Sequence, residues 1–220
     1  MRRLVQPDVS RQAVIAACLT AALCYPRFAL WTQRTHPIWY LEAVTFCGSF
    51  VLWAFVFAWH TAYTQRPVFT WRIRTGAWLA ATGAGVLAAL ILHQFLDPAL
   101  HRATPEDYPA SLAQWGAMTL FSLSLNQLFL VFAPFAWLIR LSRRQAVAVA
   151  LTVLFDVSLL LLKSHWSADP FPLTLLATLV AVRLGLAGLA VGFYLHGGVW
   201  LATWLALLVQ ARHLLGPLGP

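Results

Sequence analysis

The stretch "SLSLNQLFLVFAPFAWLIRLSRR", residues 122–144, is an apolar run closed by arginines, with Asn126 and Gln127 side by side inside it. A transmembrane helix needs about 20 mostly apolar residues. This segment has that length, so it reads as a spanning helix whose basic end lies at a membrane surface. Two amides at membrane depth are costly unless they are hydrogen-bonded, so the pair marks a position with a packing or binding role.

The rest of the chain repeats the pattern. The 220 residues are 60% hydrophobic and 10% charged, whereas a soluble domain carries about 25% charged residues. No polar stretch is long enough for a soluble domain, which needs at least about 50 residues. Seven apolar runs follow one another, at 13–31, 39–60, 76–96, 113–138, 146–162, 172–193 and 198–213. The expected fold is all-α, a polytopic membrane bundle of about seven helices. It divides into N-terminal helices over residues 1–111 and a C-terminal core over 112–220. The last two runs are separated only by "YLHGG" and could instead form a re-entrant hairpin.

The net charge of +8 comes from 14 arginines and one lysine, Lys163. In a membrane protein such an excess reflects basic cytoplasmic loops and does not point to nucleic acid. Arg2, Arg3 and Arg11 precede the first run; Arg66, Arg72 and Arg74 follow the second; Arg140, Arg143 and Arg144 follow the fourth. On the other side Arg34, Arg102 and Lys163 are diluted by Asp97, Glu106, Asp107 and Asp169. The positive-inside rule therefore predicts a cytoplasmic N-terminus. The preference for arginine over lysine is that of a GC-rich bacterial genome, so the expected location is a bacterial inner membrane. Trp31, Trp39, Trp59, Trp71, Trp78, Trp115, Trp137 and Trp166 fall near run ends, as an aromatic belt requires.

Several chemistries find no motif. Cys18, Cys24 and Cys47 form no CxxC pair and read as small apolar fillers. Ile15-Ala-Ala-Cys18 resembles a lipoprotein cleavage box, but only five apolar residues precede Cys18, too few for a signal segment. The first run is therefore expected to remain as a helix. There is no HExxH, no GxSxG, and no Ser/His pair at membrane depth. His60 and His196 are the two histidines that could meet at one depth to ligate a haem. No cofactor is expected.

Charged residues inside the hydrocarbon are expensive and mark structure or function. Asp156 is central in the fifth run and Arg183 in the sixth, so a pair between them is expected. It would fix packing; a proton or ion route and a partner-binding role are the alternatives.

The segment "SLNQLFLVFAPFAWLIRLSRRQAVAVALTVLFDVSLLLL", with "GLAGLAVGFYLHGGVWLATWLALLVQ" after it, resembles the core of the CPBP family. These are the CAAX-protease and bacteriocin-processing membrane proteins, also called Abi or Rce1-like. The resemblance covers about residues 112–212. The family carries a Glu-Glu-x-x-x-Arg helix, then Phe-x-x-x-His, then a glycine-rich turn and a last helix with His-x-x-x-Asn or Asp. Here Asn126 and Gln127 stand at the paired glutamates and Val131 at the arginine. Phe155 matches the phenylalanine, but Leu159 stands at its histidine; Ala206 and Gln210 fall at the last pair. The family's chemistry needs a base able to take a proton near neutral pH, and none of these side chains is one. The resemblance thus implies a non-catalytic member, acting as an accessory, assembly or scaffold subunit for another integral membrane protein in the bilayer. Two alternatives remain. One is an active protease with a non-standard site around Asn126, Asp156 and Arg183. The other is a cofactor-bearing subunit of an electron-transfer or photosynthetic complex. Asn126 and Gln127 could equally be amides that join helices.

Overall fold

The computed structural model describes residues 6–31, 34–166 and 171–216. Arg2, Arg3 and Asp169, which enter the charge reading, lie outside the described residues, as does the side chain of Trp166. Among the described residues, six helices are long and apolar enough to cross a membrane. They are α1 (Pro7–Leu30), α2 (Ile38–Thr64), α3 (Thr75–Ala103), α4 (Leu112–Ser142), α5 (Gln145–Trp166) and α6 (Leu173–Ala211).

The sixth is two arms. Gly198 has φ 65° and ψ −159°, which no helix contains. A straight helix would hold residues 183 and 210 about 40 Å apart at 1.5 Å per residue, yet Arg183 and Gln210 line the same cavity. The chain therefore turns back at Gly198, and 199–211 runs antiparallel to 173–197. The seventh expected run is thus this return arm, which at 13 residues is shorter than the about 20 that a spanning helix needs.

The hairpin is held by the loop after α2. Val199 N–H donates to Val68 O at 3.0 Å, Phe69 pairs with Gly198 across a single β-bridge, and Arg66 Nη1 donates to Leu195 O. Carbonyls at the end of a helix lack intrahelical partners, and Arg66 satisfies one of them. A Cβ on Gly198 would lie 2.3 Å from Val68 O, so only glycine fits. Among the described residues there is no strand beyond this bridge.

Helix ends differ from the apolar runs because helices project past the hydrocarbon. α1 starts at Pro7, six residues before its run, so Arg11 lies within it. α3 continues to Ala103. α4 starts at a cap: Ser111 Oγ accepts from Gln114 N–H at 3.2 Å, and Gln114 Oε1 accepts from Ala110 N–H at 2.8 Å. This satisfies donors that a helix start leaves free.

The apolar surface is turned outward, as a bilayer solvent demands. Leu19, Leu79, Leu87, Phe95 and Leu154 are exposed. The packed core sits in the half of the bundle nearest the N-terminus, where Trp53, Phe132, Phe135, Val191, Tyr194 and Leu205 meet. Trp53 Nε1 donates to Thr20 Oγ1 at 3.0 Å, tying α2 to α1. Trp31, Trp39, Trp71 and Trp137 are exposed at helix ends. Trp59, expected in the same belt, is buried, and the Arg140 guanidinium lies 4.3 Å from its ring centre. Cation–π contact and the neighbouring core hold it there. Of the three cysteines, Cys24 is buried 3.6 Å from Ser124 Oγ, whereas Cys18 and Cys47 are exposed and fill no internal space.

Candidate functional site

Two wide turns shape the middle of α4. Residues Ser122–Asn126 and Leu128–Phe132 are π-helical, on either side of Gln127. Pro134 has no N–H to offer the carbonyl of Leu130, which loosens the helix just ahead of it. π-Turns add a residue to a helical turn and often occur at functional positions. Here they bring Ser122, Asn126, Gln127 and Val131 onto one wall.

That wall faces a cavity of about 190 Å³ within the bundle. Its other walls are Asp156 of α5, Arg183 and Ala187 of the first arm of α6, and Ala206 and Gln210 of the return arm. Arg183 Nη2 donates to Asp156 Oδ1 at 2.7 Å. Asp156 has 7% of its side chain exposed and Arg183 39%, so the carboxylate is sealed while the guanidinium borders the cavity. Gln210 Nε2 donates to Ser122 Oγ at 3.0 Å, and Trp115 Nε1 donates to Gln210 O at the same distance. Gln127 Oε1 and Arg183 Nε are buried without a hydrogen-bond partner. Toward the N-terminal face the cavity ends at Leu130, Val131, Ala190 and Leu205, with the aromatic core beyond.

Five positions singled out in the sequence, Asn126, Gln127, Val131, Ala206 and Gln210, thus converge with Asp156 and Arg183 on one cavity. Phe155 does not join them. It lines an apolar cavity with Trp137 and Leu154, and its ring meets Phe129 edge-on at 5.9 Å. Leu159 is partly buried and lines neither cavity. On α5 the residue at the polar cavity is Asp156.

The two haem-candidate histidines have different surroundings. His60 is fully buried in the wide turn Val56–His60, against the rings of Phe135 and Tyr194, with neither ring nitrogen hydrogen-bonded. His196 is exposed, and its Nδ1 lies 2.7 Å from Gly192 O. Among the described residues no group of three or more His, Cys, Asp or Glu side chains is placed to hold a metal.

A second polar cluster lies at the face opposite the N-terminus, and the sequence reading missed it. Arg212 Nε donates to Asp97 Oδ1 at 3.2 Å, and Tyr108 Oη donates to the same oxygen at 2.8 Å. Burial, then this bond to Asp97, raises the Tyr108 phenol above its ordinary pKa. His93 Nδ1 lies 3.8 Å from Asp97 Oδ2. Asp97 and Arg212 are 115 residues apart at the ends of different helices, and nothing in their local sequence links them. No family model, curated protein or solved structure matches the chain.

Proposed function

We propose that this chain is a non-catalytic, CPBP-like protein of a bacterial inner membrane, with its N-terminus in the cytoplasm. Its role is that of an accessory, assembly or scaffold subunit for another integral membrane protein. The observation that carries this reading is the convergence of Asn126, Gln127, Val131, Ala206 and Gln210 on one cavity. They come from α4 and the return arm of α6, and Val131, Ala206 and Gln210 stand out only by their match to a family's catalytic positions. A shared cavity is what a common ancestry with that site requires. The side chains there are amides and alkyl groups, which bind and pack but cannot serve as bases. Asp156, the cavity's only carboxylate among the described residues, is held by Arg183.

A partner has a face to approach. Gly185, Gly188 and Gly192 fall on one stripe of α6, and a Cβ at any of them would meet nothing within 4 Å. Small residues let a second helix come close within a membrane. By contrast, Gly85 in the run "GAWLAATGAGVLAA" is taken up internally, with Leu208 only 2.8 Å from where its Cβ would stand. Extraction from native membranes in mild detergent tests the reading. A second integral membrane protein should co-purify in fixed ratio and be lost from the Gly188→Leu variant. Recovery of the chain alone from native membranes would overturn it.

A further inference from the structure

The amide cavity continues toward the face opposite the N-terminus. Ser122, Asn126 and Gln210 also line a second cavity, of about 300 Å³, on that side of it. The second cavity shares Pro109, Arg212 and His213 with a third, of about 610 Å³, which His93, His101 and Tyr108 border at the helix ends of that face. Three cavities thus succeed one another from the α3–α4 loop to the middle of the bundle. In the other direction the path stops at Val131 and Leu205, 4% and 2% exposed, with the rings of Phe132 and Tyr194 behind them.

The amides at the inner end of this path have no protein partner. Asn126 and Gln127 sit midway along α4, and neither side chain hydrogen-bonds another described residue. An amide out of water is costly unless it is hydrogen-bonded. Polar side chains at membrane depth meet partners in the bundle or face a water-filled cavity. Here the second case holds among the described residues. The charged pair at this end, Asp156 with Arg183, is neutral as a whole, so the cavity calls for no ion. A water molecule takes about 30 Å³ of liquid, and the inner cavity, at about 190 Å³, has room for several. Two amide side chains offer donors and acceptors together, which an uncharged group carrying both, a carboxamide above all, can match. We propose that the three cavities form one hydrated vestibule. It carries water and small uncharged carboxamide-bearing solutes from the face opposite the N-terminus to the amides at mid-membrane, and it is shut toward the other face. This inference rests on the cavities and not on any likeness to a protease.

The test is the reaction of introduced cysteines with a small impermeant methanethiosulfonate, on a background lacking the three native cysteines. Native membrane vesicles of both orientations expose each face in turn. Ala103→Cys reports the side on which its own face lies, so a reversed topology is told apart from a closed cavity. From that side Asn126→Cys and Ala206→Cys, on different walls of the inner cavity, should react readily. Leu154→Cys lies two residues from Asp156 but on an exposed, lipid-facing position. The cavity cysteines should react at least about tenfold faster than it does, because only the thiolate attacks and apolar surroundings keep a thiol protonated. From the opposite side both should be inert. Ala206→Cys is the smaller change and carries the test if Asn126→Cys fails to fold. Acetamide should slow the Ala206→Cys reaction in a saturable way, and acetate should not. Unreactive cysteines at both positions, or reaction from the face of the N-terminus, would overturn the vestibule. No slowing by acetamide, or equal slowing by acetate, would overturn its preference for uncharged amides.

Discussion

Arg183 Nη2 and Asp156 Oδ1 lie 2.7 Å apart across 27 residues of chain, joining α5 to the first arm of α6 at the middle of the bundle. The pair is unequal. The Asp156 side chain is 7% exposed and the Arg183 side chain 39%. Losing the arginine leaves a sealed carboxylate, whereas losing the aspartate leaves a guanidinium that can still reach the polar cavity.

The single substitutions should therefore differ. Arg183→Leu is expected to cost about 3 to 5 kcal/mol, the usual result of orphaning a buried charge, and Asp156→Asn less. The double variant should recover most of the loss. A double-mutant cycle of thermal stability in detergent reads this directly. Simple addition of the two effects would show that the residues are energetically independent.

Gly198 makes the hairpin, and its substitution should be among the most damaging single changes in α6. Alanine there faces two penalties. A φ of 65° is disfavoured for residues with a Cβ, at about 1 to 3 kcal/mol, and the new methyl would stand 2.3 Å from Val68 O. Moving the loop aside also breaks the Val199 N–H to Val68 O bond. Gly198→Ala should lower the melting temperature and yield sharply, while Gly192→Ala, with open space around it, should change stability by under about 1 kcal/mol. Equal melting temperatures for the two variants would contradict this account of the turn.

Orientation is tested by cysteine accessibility. Arg72, in the loop between α2 and α3, and Ala103, the last residue of α3, are both exposed at opposite faces of the bundle. On a background lacking the three native cysteines, an impermeant thiol reagent applied to intact cells should label Ala103→Cys and spare Arg72→Cys. The reverse pattern would place the N-terminus outside.

The bundle was legible in the sequence because hydrocarbon imposes a length of about 20 apolar residues on each span, and five of the seven runs meet that demand, while 146–162 and 198–213 are shorter. The turn "YLHGGVW" was visible as a break, and its glycine is the residue that reverses the chain. Asp156 and Arg183 stood out because charges are rare at such depth. Other features had no such signal. Arg212 and Asp97 lie at helix ends, where charges are cheap, so their pairing across the bundle could not be read from either end. The wide turns of α4 had no signal either, because a hydrophobic pattern does not distinguish a π-turn from an α-turn. Trp59 looked like an interfacial residue because its depth was legible and its facing was not.

A non-catalytic cavity at Asn126, Gln127, Ala206 and Gln210, as proposed above, leaves peptides uncut. Purified protein in lipid nanodiscs, incubated with prenylated and leader-bearing peptides, can be assayed by mass spectrometry for new peptide termini. No new termini are expected, either for the native chain or for Asn126→Glu with Gln127→Glu, because Ala206 supplies no partner base and the Asp156 carboxylate is held by Arg183. Time-dependent cleavage by the native chain that disappears in Asp156→Asn would contradict it.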